Sequence, residues 1–186
     1  MKMKSILFLK IESNGISKSK VCKKNNYDKF PNCLALSYKI GKINNEKSKV
    51  DIKFGYYSVI KSDCNLNTYA QTVHKITKKE IDNGKDIKTV LKDLNDNILK
   101  YKVRIIIGHN INFDYNIIKA EFFRNDMELI EHKIQLLDLM IFNHEYKHPP
   151  LVFLYENLLN KKWDKNLDRK TLIDINIECF EKLYNV

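Results

Sequence analysis

No apolar run in this 186-residue chain approaches the length of a membrane span, and no secretory pattern opens it. Neither a membrane partner nor a cleaved leader is expected. Cysteine is sparse and scattered. Cys22, Cys33, Cys64 and Cys179 have neither zinc-ligand spacing nor the arrangement of a disulfide framework. That usage fits the cytoplasm or another reducing intracellular compartment. Internal repeats are missing, and so is any composition shift that would mark a domain boundary. Residues 1–186 therefore read as one domain, long enough for a well-buried core and too short for two.

What the chain has in excess is positive charge, a formal +10 at neutral pH. Such a balance is compatible with a polyanion partner. The chain is also rich in Lys, Asn and Ile, the usage of AT-rich coding, so charge alone identifies no nucleic-acid protein.

Hydrophobic periodicity orders the elements. Ser5 to Ile11 reads as a buried strand interrupted by Lys10, and a central strand rarely carries an unpaired lysine. Glu12 to Gly15 form a turn, and residues 17–29 a polar, basic surface loop. Asn32 to Ile40 and Val50 to Ile60 read as a hairpin across a turn at Lys42 to Lys49. Thr77-Lys78-Lys79-Glu80 matches a capping box. Asp86 caps a longer helix whose Ile87, Val90, Leu91, Leu94 and Ile98 share one face. Ile105 to Ile107 is a buried strand ended by Gly108. A helix follows, with Asn112 as its expected N-cap, Asp114 in its first turn and Ile117, Ile118 and Phe122 inward. Ile134 to Met140 is another apolar run. Pro149 and Pro150 precede a helix with Leu151, Leu154, Leu158 and Leu159 on its apolar face. The last helix runs from about Thr171 to Tyr184, with Ile173, Ile177, Phe180 and Tyr184 along one stripe. Strands first, then helices interleaved with strands, predict an α/β domain with a mixed sheet and helices packed on it.

Three carboxylates adjoin apolar segments: Glu12 at the end of the first strand, Asp114 at a helix start and Asp174 in the final helix. If they converge at a sheet edge, they offer the oxygen ligands that hard divalent cations such as Mg²⁺ or Mn²⁺ need for phosphodiester hydrolysis. The plainer reading makes Asp114 a charge that favours the helix start.

Several segments in order carry a family likeness. FLKIESNG (Phe8 to Gly15), AQTVHKIT (Ala70 to Thr77), GHNINFD (Gly108 to Asp114), PPLVFLYENLL (Pro149 to Leu159) and LDRKTLIDINIECFEKL (Leu167 to Leu183) resemble the motifs of DnaQ-like 3′–5′ exonucleases of the DEDDh type. The resemblance covers nearly the whole chain. It implies an RNase H-like mixed β-sheet flanked by helices. It also implies catalytic and metal positions at Glu12, Asp114 and Asp174, with His109 and Asn110 near the substrate. In the family pattern an Asp that bridges two metal ions stands where this chain has Lys10. The catalytic His falls on Arg169, and the Tyr of the related subclass falls on Lys170.

Lys10 has only donors to offer and cannot ligate Mg²⁺ as an ammonium. It is expected to act as counter-ion to the retained carboxylates, or else to snorkel to solvent. Arg169 stays protonated and cannot serve as a general base. It is left to bind a phosphate or a carboxylate, or to point to water. The resemblance with these two departures predicts a pseudo-exonuclease that has no cofactor, or that takes Mg²⁺ or Mn²⁺ on Glu12, Asp114 and Asp174 if activity remains. Lys18, Lys20, Lys23 and Lys24 could reach a phosphate backbone, and Tyr27 and Phe30 could stack on bases. His109 also reads as a structural histidine bonded to backbone, and Thr77 as a helix cap. Three functions stay open: non-hydrolytic binding of single-stranded DNA or RNA, an interaction module with a protein partner, and an active metal-dependent exonuclease.

Overall fold

The computed structural model describes residues 5–44, 49–131, 134–142, 145–164 and 166–184. Strands β1 (Ser5–Ser13), β2 (Cys33–Asn44) and β3 (Lys49–Val59) come first. Then follow α1 (Thr68–His74), α2 (Lys78–Asp82), α3 (Ile87–Lys100), β4 (Val103–Gly108), α4 (Ile111–Arg124), β5 (Gln135–Asp138), α5 (Leu151–Leu159) and α6 (Leu172–Tyr184). The strands form one sheet in the order β3-β2-β1-β4-β5. β1, β2 and β3 pair antiparallel, while β1–β4 and β4–β5 are parallel. The expected mixed sheet with flanking helices is what the chain forms.

The packing of β1 on both faces accounts for its apolar run from Ile6 to Leu9. Leu7, Leu9 and Ile11 face a core shared with Val90, Leu94, Ile98, Ile117 and Phe122 of α3 and α4. Ile6 and Phe8 face a second core made with Leu154 of α5 and Ile173 and Phe180 of α6. Both faces are covered, so alternation is lost from the hydropathy pattern. Each fully buried Leu, Ile or Phe here contributes roughly 1.5–3 kcal/mol. By the two-residue period of a strand, Lys10 and Glu12 continue the Phe8 side, where β1 reaches the carboxyl edge of the sheet.

Three local readings change. The N-cap of α4 is Asn110, in the left-handed region at φ 57°, and not Asn112, which lies inside the helix. Glycine is needed at position 108 because β4 ends close to β1: a Cβ there would sit 2.8 Å from the Leu9 carbonyl oxygen. The hairpin strands extend to Asn44 and from Lys49, and the rest of the expected turn, residues 45–48, lies outside the described residues. Tyr184 lies at the solvent end of its stripe, 43% exposed, with its ring 5.4 Å from that of Phe180. The Thr77 capping box forms as the spacing predicts.

Candidate active site at the carboxyl edge of the sheet

The carboxyl ends of β1 and β4 and the start of α4 bring three of the predicted residues together. Lys10 Nζ lies 3.8 Å from Glu12 Oε1 and 3.8 Å from Asp114 Oδ2. It also donates to the Ile11 carbonyl at 2.5 Å. Its side chain is 22% exposed, so it turns into the cluster and does not snorkel to solvent. Asp114 is 2% exposed and accepts from the Ile11 amide at 3.2 Å. The helix start therefore fastens to β1 through this carboxylate, a role beyond that of a charge at the positive end of the helix.

Burial dominates the ionisation of Asp114. It outweighs the attraction of Lys10 and raises the carboxyl to about 7. For Lys10, burial opposes the charge, but Asp114 and Glu12 outweigh it and hold the ammonium above its ordinary pKa. The pair is mutually supporting on one side only: the lysine stays charged at neutral pH, while the aspartate is close to its titration midpoint.

The other predicted residues lie elsewhere. Asp174, in the first turn of α6, pairs with Lys39 of β2. Arg169 does not point to water. Its guanidinium donates to the Tyr57 hydroxyl at 2.8 Å and to the His74 carbonyl at 3.1 Å, and pairs with Glu80. His109 Nε2 meets the Pro149 carbonyl at 2.7 Å, the backbone bond expected of a structural histidine, and burial lowers its pKa. The Asn110 side chain is exposed, while its amide donates to Asp138 Oδ1 at 2.8 Å. Lys18, Lys20, Lys23 and Lys24 are exposed on the 17–29 loop. Phe30 is 4% exposed, packed with Cys22 and Ala120, so it is not free to stack on a base. Tyr27 is half-buried beside Phe123.

That loop is tied to α4. Asn116 accepts from the Cys22 amide at 2.7 Å and donates to the Lys20 carbonyl at 3.3 Å. Arg124, paired with Glu121 at 2.7 Å, donates to the carbonyls of Tyr27, Phe30 and Pro31. An open cavity of about 540 Å³ lies between the loop and the start of α4, lined among others by Ile16, Lys20, Asn110, Phe113 and Asn116. A larger groove of about 1200 Å³ runs past the far end of α4, along Phe122, Met127 and Ile130. None of the carboxylates Glu12, Asp114 and Asp174 lines it.

Sequence reasoning missed Lys39, Asp138 and His74. Asp138 sits inside an apolar run, and Lys39 reads as an ordinary strand lysine. His74 is 5% exposed and accepts from the Ile76 amide through Nδ1 at 3.0 Å, which leaves its proton on Nε2. Among the described residues Nε2 has no hydrogen-bond partner, and burial lowers the pKa of the ring against the pull of Glu12. Its place in AQTVHKIT was the available signal.

The resemblance to DEDDh exonucleases implies divalent ions at Glu12, Asp114 and Asp174, and each of these carboxylates has a lysine as its near partner instead. An ammonium stands between Glu12 and Asp114, and Asp174 is engaged by another. Among the described residues, no three His, Cys, Asp or Glu side chains come close enough to share an ion.

Residues 38–165 match the family model described as Exonuclease. No curated protein sequence matches the chain. Among solved structures, it is similar to the nuclease domain of 3′hExo, a DEDDh family member, bound to rAMP: 13% identity, TM-score 0.65, covering 98% of this chain and 90% of that one. A 3′-exonuclease in 3′-end specific recognition of histone mRNA stem-loop gives 12% identity and TM-score 0.68, over 99% and 82% of the two chains. E. coli exonuclease I in complex with a dA16 oligonucleotide gives 14% identity and TM-score 0.69, over 98% of this chain and 41% of that one. The chain thus spans about two-fifths of exonuclease I.

Proposed function

From a chain that belongs to the exonuclease family, we propose a pseudo-exonuclease that binds single-stranded nucleic acid without hydrolysing it. The observation that carries this is Lys10 Nζ at 3.8 Å from both Glu12 and Asp114. The ammonium replaces the metal as the counter-ion of the cluster. Two unit charges ~4 Å apart repel by ~4 kcal/mol at an effective dielectric of 20, and a divalent ion doubles that. A cation entering beside Lys10 meets this repulsion and finds one ligand fewer.

Proton transfer fails for a separate reason. Deprotonating the attacking water needs a group that accepts a proton near neutral pH. Arg169 cannot do so, and Lys170 at the neighbouring position lies over the Tyr57 ring at 5.2 Å. The bridging ligand and the base are lost together, while the three carboxylates persist.

Binding has its own support. Lys20 lines the cavity beside Asn110, and the exposed lysines 18, 23 and 24 stand on the same loop, which α4 holds in place. With Lys10 inside the cluster, a phosphodiester approaches a largely neutralised site without needing a metal. We place this activity in the cytoplasm or another reducing compartment, which suits four unpaired thiols.

Labelled single-stranded DNA and RNA incubated with the protein and Mn²⁺ provide the test. Fluorescence anisotropy is expected to show binding that weakens with salt, with no mononucleotide released. Robust mononucleotide release, abolished by Glu12→Ala or Asp174→Ala, overturns the reading. Absence of salt-dependent binding would instead favour an interaction module with a protein partner.

A further inference from the structure

Lys39 stands opposite Phe8 in the β1–β2 register, and Lys10 stands opposite Ser37. Cross-strand partners share a face of the sheet, and so do residues two apart along a strand. Lys39 and Lys10 therefore rise from the same face, the one on which α6 packs. The Lys39 stem runs across Gly55 of β3: a Cβ there would lie 3.6 Å from its Cγ and 3.7 Å from its Cε. From that position the ammonium pairs with Asp174, with the two side chains 29% and 47% exposed. The three retained carboxylates are thus divided. Glu12 and Asp114 belong to Lys10, and Asp174 belongs to Lys39.

We propose that Lys39 is a positioning residue that holds Asp174 apart from Glu12 and Asp114, so that two lysines and not one keep a pair of divalent ions out of the cleft. The proposal rests on the reading of Lys10 as an internal counter-ion. Its physical basis is the length of a metal–oxygen bond. An ion gathers its carboxylate oxygens to ~2.1 Å for Mg²⁺, and a carboxylate bound to an ammonium must leave that partner first. Replacing Lys10 with aspartate removes one cation and supplies a bridging ligand, but leaves Asp174 tied to β2. Restoring the family residue at position 10 is then insufficient.

Calorimetric titration of manganese chloride into the full chain and into K10D, K10D/K39M and K10D/K39R tests this, with thermal melting by circular dichroism to establish folding. K10D is expected to take up at most one ion, at least about tenfold more weakly than K10D/K39M, which takes up two. K10D/K39R is expected to follow K10D, because the guanidinium keeps Asp174 engaged. Should K10D/K39M not fold, K10D/K39Q gives the same comparison with a polar side chain. The role of Lys39 is refuted if K10D alone binds two ions as tightly as the double variant. It is refuted equally if K10D/K39R binds like K10D/K39M, or if a folded K10D/K39M takes up no second ion. Two tight sites in the unmodified chain refute the counter-ion reading of Lys10 itself, an outcome separate from these three.

Discussion

At the scale of single residues, the ionisation of Asp114 makes a testable signature. A carboxyl whose folded pKa is raised to about 7 contributes stability below its unfolded pKa and loses it as pH rises through the folded one. His74 and His109 have lowered pKa values, so they act in the opposite sense: their contribution is present above the ordinary imidazole pKa and lost as pH falls. Comparison with a variant separates the two. Between pH 8 and pH 5, the protein is expected to gain stability relative to Asp114→Asn by on the order of 2–4 kcal/mol, read from urea denaturation at each pH. Parallel pH profiles would show that Asp114 ionises normally. Part of this cluster was legible in the sequence, because a lysine in an apolar strand needs a partner; the expected third carboxylate, Asp174, pairs with Lys39 instead. Lys39 was not legible. Alternation in β2 assigns it to the non-Tyr38 face, but only the hairpin register and the packing of α6 reveal that this face ends on Asp174.

At the scale of elements, Arg169 is a tie between the approach to α6 and the α1–α2 region. It joins Tyr57 on β3, the carbonyl of His74 at the end of α1, and Glu80 in α2. Arg169→His shortens the side chain and leaves Glu80 and the Tyr57 hydroxyl without this donor. The expected cost is about 2 kcal/mol, measured by urea denaturation, the partial exposure of Glu80 keeping it modest. The same variant restores the family's histidine, and no nuclease activity is expected to return while Lys10 stays. A sequence cannot announce such a tie, since its partners lie 89 to 112 positions away. Short-range chemistry was more readable. The capping box at Thr77 and the apolar faces of α3 and α4 follow from spacing alone. Asn110 and Asn112 illustrate the limit: both residue types suit a helix start, and spacing alone does not choose between them.

At the scale of the molecule, α4 links the basic loop to the carboxylate cluster. The helix contributes Asp114 to the cluster at its start, and Asn116 and Arg124 hold the loop further along. Lys18→Gln, Lys20→Gln and Lys23→Gln combined are expected to weaken binding to single-stranded oligonucleotides of any sequence. They should flatten the dependence of log K on log salt by up to about 0.7 for each phosphate that is no longer neutralised. An unchanged slope would move the binding surface away from this loop.

The lysine in the carboxylate cluster also changes how the molecule relates to its surroundings. A bound metal ion has a dissociation constant, so a site that depends on one follows the supply of that ion and yields to a chelator. Lys10 is covalently part of β1 and has no dissociated state. On the proposed reading of Lys10 as counter-ion, the positive charge set against Glu12 and Asp114 is fixed at synthesis and does not follow magnesium concentration. The melting temperature should be the same in excess EDTA as in millimolar magnesium.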